Sequence, residues 1–454
     1  MLAWADLVSN WIQEPETTLV LCDDPWVFRH LAERPGVIAG NPPRLLPMTV
    51  RLWLRGYAAR CKVALRFFQA ALSLPAAGPE ISANGSWLLV YGHPKSSADG
   101  QDGYFGDLMK TMPHLLRVLH VDCSSTRARE LGNDGRTFSL HAWGNPFFAL
   151  AKLPFSRWRP NSVTQHGEKG WLVRRAAALE GGTGQAAAIR WQIHCQKRWL
   201  EAMRPSIVSW PWENHSWERV FIRVARALKS TTIGYQHSVI GRQMLSYSPR
   251  SNLDGPQSLP DRVVCSGAST RDQLLSWDMP ASRLCIGGGL RFVDRGKTVF
   301  DPHAPVFVAL PSDGPTASEM MEAVRKAGQN KHHFLVKDHP MTPFAFENSE
   351  GVERTNISLG NHERLSAVIF AMTTVGLEAV LLGLPTARFR PAETFVIDIL
   401  PPEVTVPVIG PGDFEAVLEN LTSPPVIDGE TILANPDRAL WTSILNPGDS
   451  AHAI

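Results

Sequence analysis

The feature that most constrains this chain is a series of short, continuous apolar runs separated by helical stretches. Seven such runs occupy the second half: residues 205–210, 231–235, 262–265, 305–310, 333–337, 367–370 and 385–389. Helices are predicted between them near 215–229, 268–277, 315–328, 374–383 and 412–421. A strand with one wet face alternates apolar and polar residues. A strand that is apolar throughout is covered on both faces, which is the signature of a parallel sheet packed between helices. The first half is less regular. Residues 17–21, 87–91 and 115–121 read as strands, and 51–73 and 184–203 as long helices. The fold class is therefore α/β, with two domains of unequal size.

The series is interrupted by GGGLRFVDRGKTVFDPHAP at 287–305, rich in glycine, proline and charge. This places an N-terminal α/β domain at 1–290 and a second α/β domain at 291–430, with a tail at 431–454 expected to pack back on the first. Thirteen of the fifteen tryptophans precede residue 220, so the two halves are built around different cores.

Lysine plus arginine number 45 and aspartate plus glutamate 43, a net of +2, which argues against a nucleic-acid partner. The six cysteines are scattered, with no CxxC and no metal-ligand spacing; they read as buried thiols in a reducing compartment. No run of 18 apolar residues occurs, and the N-terminus lacks a secretory pattern. A cytoplasmic location is expected, with peripheral contact at the inner membrane left open. The basic, aromatic-flanked stretch 51–68 and a second cluster (Arg157, Arg159, Lys169, Arg174 and Arg175 beside Trp158 and Trp171) suit either a solvated surface or contact with lipid or charged glycan.

Several motifs follow strands, where an α/β fold presents its ligand crevice. Lys337-Asp338-His339-Pro340 offers a cation and an imidazole on a rigid turn. Thr373-Thr374-Val-Gly376-Leu-Glu378 reads as a hydroxyl-bearing turn into a helix, where either threonine can serve as N-cap and the helix start favours an anion. Ser312, in Leu-Pro-Ser-Asp-Gly, lies on a turn that lets the backbone approach a ligand. Glu213-Asn214-His215 follows one strand and Gln236-His237 the next, bringing a carboxylate and an imidazole to the same sheet end as candidate base, nucleophile or acid. The competing reading makes Glu213 or Asn214 a helix cap and His237 a core residue. The loop Asp99–Gly106, with Asp102, suits a sugar cradle or a plain surface turn. Neither GxxxxGK[ST] nor GxGxxG occurs in a strand–helix context, and no metal cluster is expected.

Taken together, Lys337-Asp-His339-Pro340 and Thr373-Thr374-Val-Gly376-Leu-Glu-Ala resemble GT-B glycosyltransferases, more narrowly the bacterial surface-polysaccharide enzymes of the Kdo and sialic-acid type that use CMP-activated sugars. The resemblance covers about residues 205–390 and implies two Rossmann-like domains facing a central cleft, the C-terminal one (291–430) binding the nucleotide sugar. It implies a metal-independent transferase needing no cofactor, whose nucleotide sugar is a substrate and whose acceptor is a glycan or lipid-linked glycan. It further implies that Ser312, Lys337, His339, Pro340, Thr373, Thr374 and Glu378 hold the nucleotide. Glu213 and His237 would be catalytic, and Asp102, His215 and Gln236 would line the substrate. Arg291 and Arg242 are candidates for the carboxylate of an acidic sugar. A UDP-sugar or CDP-glycerol donor, or a non-catalytic glycan-assembly protein, are the alternatives.

Overall fold

The computed structural model describes residues 2–13, 16–74, 85–292, 296–330, 332–340, 342–392 and 394–446. They fall into two compact units, one from 1–83 with 118–204 and the other from 84–117 with 205–454. This grouping differs from a division at 287–305, because the parallel sheets on either side of that segment belong to one unit.

The first unit is mainly helical. Helix Leu45–Ser73 buries Leu52, Gly56, Arg60, Ala64, Phe67 and Ala70, spaced by three and four residues as one face of a helix requires. Arg60 is 2 % exposed, and its guanidinium donates to the carbonyls of Pro154 (3.0 Å) and Gly181 (2.7 Å), so this basic residue of the 51–68 stretch is a structural pin. Phe67 stacks on Trp191 of helix Gln185–Met203, and the Trp191 indole donates to His141 at 3.0 Å. The strand expected at 17–21 is absent: Leu19 and Leu21 are exposed, and without a neighbouring ladder an apolar run has no reason to stay extended as a strand.

The second unit holds the sheets that the apolar runs foretell. Strands β1 (Ser86–Val90), β2 (Ile207–Pro211), β3 (Thr231–Gln236), β4 (Arg262–Cys265) and β5 (Leu284–Ile286) lie side by side in that order, all parallel. A second sheet is formed by β6 (Val306–Ala309), β7 (Phe334–Lys337), β8 (Val352–Arg354), β9 (Ala367–Phe370), β10 (Thr386–Phe389) and β11 (Val408–Ile409), again all parallel. Its order is β8-β7-β6-β9-β10-β11. Counted within the sheet this is 3-2-1-4-5-6, the Rossmann order.

Burial explains why these strands show no alternation. Val306 and Val308 join Phe334, Val336 and Ile369 in one core. Phe307 and Ala309 join Val368 and Phe370 in the core on the opposite face. Each fully buried aliphatic or aromatic side chain contributes roughly 1.5–3 kcal/mol. Gly376 lets the helix Val375–Leu381 close on β9, since a Cβ there would lie 2.4 Å from the Phe370 ring.

The C-terminal segment returns to the first sheet. Trp441, of helix Arg438–Leu445, is fully buried against Tyr235 (5.1 Å between ring centroids) and Phe105 (5.8 Å), and its indole donates to the Gly287 carbonyl at 2.9 Å. The glycines at 287–289 serve this crossing. Gly288 adopts φ +84°, and a side chain there would collide with the Asn435 carbonyl. Residues 293–295 of the linker and 447–454 of the tail lie outside the described residues. Cys123, Cys195 and Cys265 are buried free thiols, whereas Cys22, Cys61 and Cys285 are only half-buried.

Candidate functional site

In a sheet of order 3-2-1-4-5-6 the crevice opens where the order reverses, beyond the carboxyl ends of strands 1 and 4. Here those are β6 and β9, followed by Leu310-Pro-Ser312 and Ala371-Met-Thr373-Thr374. Ser312 is exposed at that point, while its neighbour Asp313 caps helix Gly314–Gly328 by accepting from the Thr316 amide (3.0 Å). Met372 takes the left-handed conformation (φ 41°) and Thr373 follows it into the interior, 8 % exposed. The Thr373 hydroxyl is buried with no partner among the described residues. Thr374 occupies the N-cap position, but its side chain makes no capping bond, in contrast to the expected hydroxyl cap. Its φ of −64° and ψ of −9° are already helical, which turns the side chain away from the free amides.

The turn after β7 is differently engaged. Lys337 spends its ammonium on the carbonyls of Asn356 (2.7 Å) and Ile357 (3.2 Å), so it ties down a loop instead of reaching a phosphate. Asp338 pairs with Arg354, which also lies over the Phe346 ring. His339 is half-buried, and burial lowers its pKa. Pro340 is exposed. The Lys337 and His339 turn and the Thr373 turn thus share one sheet edge, but only the latter stands at the reversal point.

A denser cluster stands at the carboxyl ends of β1, β2 and β3. Glu213 accepts from or shares a proton with His215 Nε2 at 2.7 Å. Burial raises the Glu213 carboxyl, but the bond from His215 and the fields of His237 and Arg291 outweigh it and hold the group below its ordinary value. The same bond raises His215. His237 is 5 % exposed; burial, and then the Arg291 charge, lower its pKa to about 4, so it is neutral at pH 7. Its Nδ1 is buried with no hydrogen-bond partner among the described residues. Tyr104 meets the His237 ring edge-on at 4.8 Å, and Arg291 lies over the Tyr104 ring at 5.7 Å. Gln236 is fully buried and accepts from the Ser266 hydroxyl at 3.5 Å, a supporting contact behind the cluster.

Two structural devices hold this cluster. The Glu218 carboxylate, fully buried, accepts from the Trp210 indole (2.8 Å) and from the amides of Glu213 (3.2 Å), Asn214 (3.2 Å) and His215 (3.0 Å). That closes the turn, whose central residue Asn214 is left-handed (φ 57°). Burial pushes the Glu218 pKa up to about 7. The second device is Asp102. It was expected to line a substrate, but it is 2 % exposed and committed to the amides of Tyr104 (2.9 Å) and Phe105 (3.1 Å) and to the buried Arg117 guanidinium at 3.5 Å. Its role is to shape the loop that presents Tyr104. Gly103 fits beneath His93, where a Cβ would lie 2.3 Å from the imidazole.

Burial raises the Glu378 pKa, opposed by the charges of Arg291 and Lys95, which places this residue of helix Val375–Leu381 in the field of the first-sheet cluster. Of the two arginines considered for an anionic substrate, Arg291 is at the cluster and Arg242 is exposed. Tyr104 lies in the Asp99–Gly106 loop read as a sugar cradle or a plain turn, whereas Glu218 was not singled out. Glu218 stands three residues into its helix, where an acid reaches back to the cap, but a histidine at the N-cap hides the usual Ser/Thr signal. Among the described residues no three His, Cys, Asp or Glu side chains are grouped to hold a metal ion, and no helix is long and apolar enough to cross a membrane.

The two parallel, helix-covered sheets define an α/β protein built on Rossmann-type strand orders. No protein-family model matches the chain, and no curated protein matches it. Among solved structures it is similar to a UDP-GlcNAc 2-epimerase from Neisseria meningitidis bound to UDP-GlcNAc, at 11% identity and a TM-score of 0.43, covering 79% of this chain and 99% of that one. A UDP-GlcNAc 2-epimerase from Methanocaldococcus jannaschii in complex with UDP-GlcNAc and UDP is similar at 10% identity and a TM-score of 0.43, with 77% and 97% covered. The glycotransferase of kitacinnamycin is similar at 12% identity and a TM-score of 0.41, with 82% and 96% covered.

Proposed function

We propose that this protein is a glycosyltransferase that moves an acidic sugar, of the Kdo or nonulosonate kind, from a CMP-activated donor to a surface-glycan or lipid-linked acceptor. The observation that carries the reading is one sheet edge on which Glu213 bonds His215 at 2.7 Å and Tyr104 lies against both the His237 ring (4.8 Å) and the Arg291 guanidinium (5.7 Å).

In this mechanism Glu213 takes the proton from the acceptor hydroxyl. The acceptor oxygen bonds to the anomeric carbon, the bond from that carbon to the phosphate oxygen breaks, and its electron pair leaves with CMP. A base acting on the acceptor gives inversion. Arg291 pairs with the sugar carboxylate beside the reacting carbon. His215, held by Glu213, orients the base. The Thr373 hydroxyl is the donor available to the phosphate, with Ser312 beside it at the sheet reversal and His339 toward the ribose. A UDP-sugar or CDP-glycerol donor is the alternative for the same crevice.

The test is thermal stability of the full chain with CMP, CDP and UDP, followed by transfer assays with the matching donors. A rise selective for CMP, reduced in His339→Ala, supports the reading, and a rise with UDP or CDP alone moves it to the alternative donor. Indifference to all three nucleotides overturns it, and binding without turnover leaves a non-catalytic assembly protein.

A further inference from the structure

The helical unit carries a feature that sugar transfer does not use. Trp53 (50 % exposed) stacks on Tyr57 at 6.0 Å between centroids, and Tyr57 meets Phe155 (65 % exposed) at 6.0 Å. Phe155 and Trp158 then line a cavity of about 620 Å³ together with Lys152, Arg157, Arg159 and Arg190. A second cavity of about 290 Å³ shares Arg157, Trp158 and Arg159 and reaches back to Trp53. The four aromatics therefore form one continuous exposed surface ringed by cations. Among the described residues, neither cavity is lined by an acidic one. The nearby Glu180 is occupied, accepting from the amides of Trp158 (3.2 Å) and Ala186 (3.0 Å).

We propose that this face docks on an anionic phospholipid bilayer. The cations alone would suit any phosphate or carboxylate, but the apolar surface continues beyond them. Leu46, Val50 and Leu54, all exposed, extend the Trp53–Tyr57 stripe along helix Leu45–Ser73 at spacings of three and four residues. A soluble sugar or phosphate offers nothing to cover that stripe. The boundary between headgroups and acyl chains takes both parts, with the aromatic rings at the interface and lipid phosphates in the guanidinium-lined cavities. The inference does not depend on the reaction.

The experiment is flotation of the full chain with phosphatidylglycerol vesicles and with phosphatidylcholine vesicles. Binding to the anionic vesicles, weakened by salt and at least about tenfold weaker in the double variant Arg157→Glu/Arg159→Glu, is expected. Quenching of tryptophan emission by brominated acyl chains is expected to fall in Trp53→Phe/Trp158→Phe, a conservative change that keeps the fold. Failure to float with phosphatidylglycerol, or undiminished binding by the charge-reversal variant with its helix content intact, overturns the proposal. So does saturable binding of free glycerol phosphate at Arg157 without flotation, which assigns the cavity to a soluble anion.

Discussion

The carboxyl edges of the two parallel sheets were built by the same rule, strand then polar turn then helix, yet they use their side chains differently. At the first edge Glu213, His215, His237, Tyr104 and Arg291 act on one another, and a buried carboxylate, Glu218, fixes the turn from behind. At the second edge Lys337 is engaged by a neighbouring loop and Asp338 pairs with Arg354, while among the described residues Thr373 keeps a buried hydroxyl without a partner. A motif at a strand end identifies the edge that faces a ligand. Whether its charged groups remain available depends on what the adjoining loops offer them first, because an ammonium or carboxylate half out of water takes the nearest acceptor or donor.

The sharpest way to break this contrast is Glu213→Gln, which keeps the shape and removes the base. Transfer should fall roughly a thousandfold in kcat while nucleotide affinity holds; unchanged turnover would place the chemistry elsewhere.

Titration separates the edges next. His237, and His141 in the helical unit, have pKa values lowered to about 4 by burial. Between that value and the ordinary 6.5 the unfolded chain binds protons that the folded chain does not, so stability falls as pH drops through the window. Each of the two should cost about 2 kcal/mol between pH 7 and pH 5. Half-buried His194, lowered to about 4, adds a smaller share. Glu218, raised to about 7, works in the opposite direction and offsets about one histidine. Urea unfolding at the two pH values should show a net loss of about 2 kcal/mol, and the His237 ring resonance should not titrate above about pH 5.

At the second edge, Gly376→Ala drives a methyl into the Phe370 ring and should cost about 1–3 kcal/mol, read as a lower Tm. Arg291→Gln should raise KM for an acidic-sugar donor by roughly tenfold and shift His237 toward a higher pKa, because the guanidinium charge is one of the causes that lower it. The smallest effect belongs to Lys337→Met. Nucleotide affinity should stay within about twofold of the native value, since its ammonium serves the 356–357 carbonyls. A large loss of affinity there would restore the lysine to the nucleotide site and erase the difference between the edges.

The strands and helices of the second half were legible because continuous apolar runs admit few arrangements, and every expected strand there is present. So was the emergence of Glu213 and His237 at one sheet edge, since residues after adjacent parallel strands must leave the sheet on the same side. Thr17–Leu21 misled because it has strand composition without a strand neighbour. Asp102 misled because an acid in a glycine-rich loop looks free until Arg117, fifteen residues away, is seen to claim it at the foot of the cluster.

The amino-acid order alone determined the parallel α/β class, the edge on which the polar turns emerge and the basic-aromatic composition of the first half, because these depend on periodicity and local sterics. Only the tertiary structure decided which charges are spent internally, that the second sheet runs 3-2-1-4-5-6, and that Trp53, Tyr57, Phe155 and Trp158 share one surface. Those outcomes depend on contacts between residues tens to hundreds of positions apart, and the energy of a buried or exposed group is set by the neighbours that packing supplies.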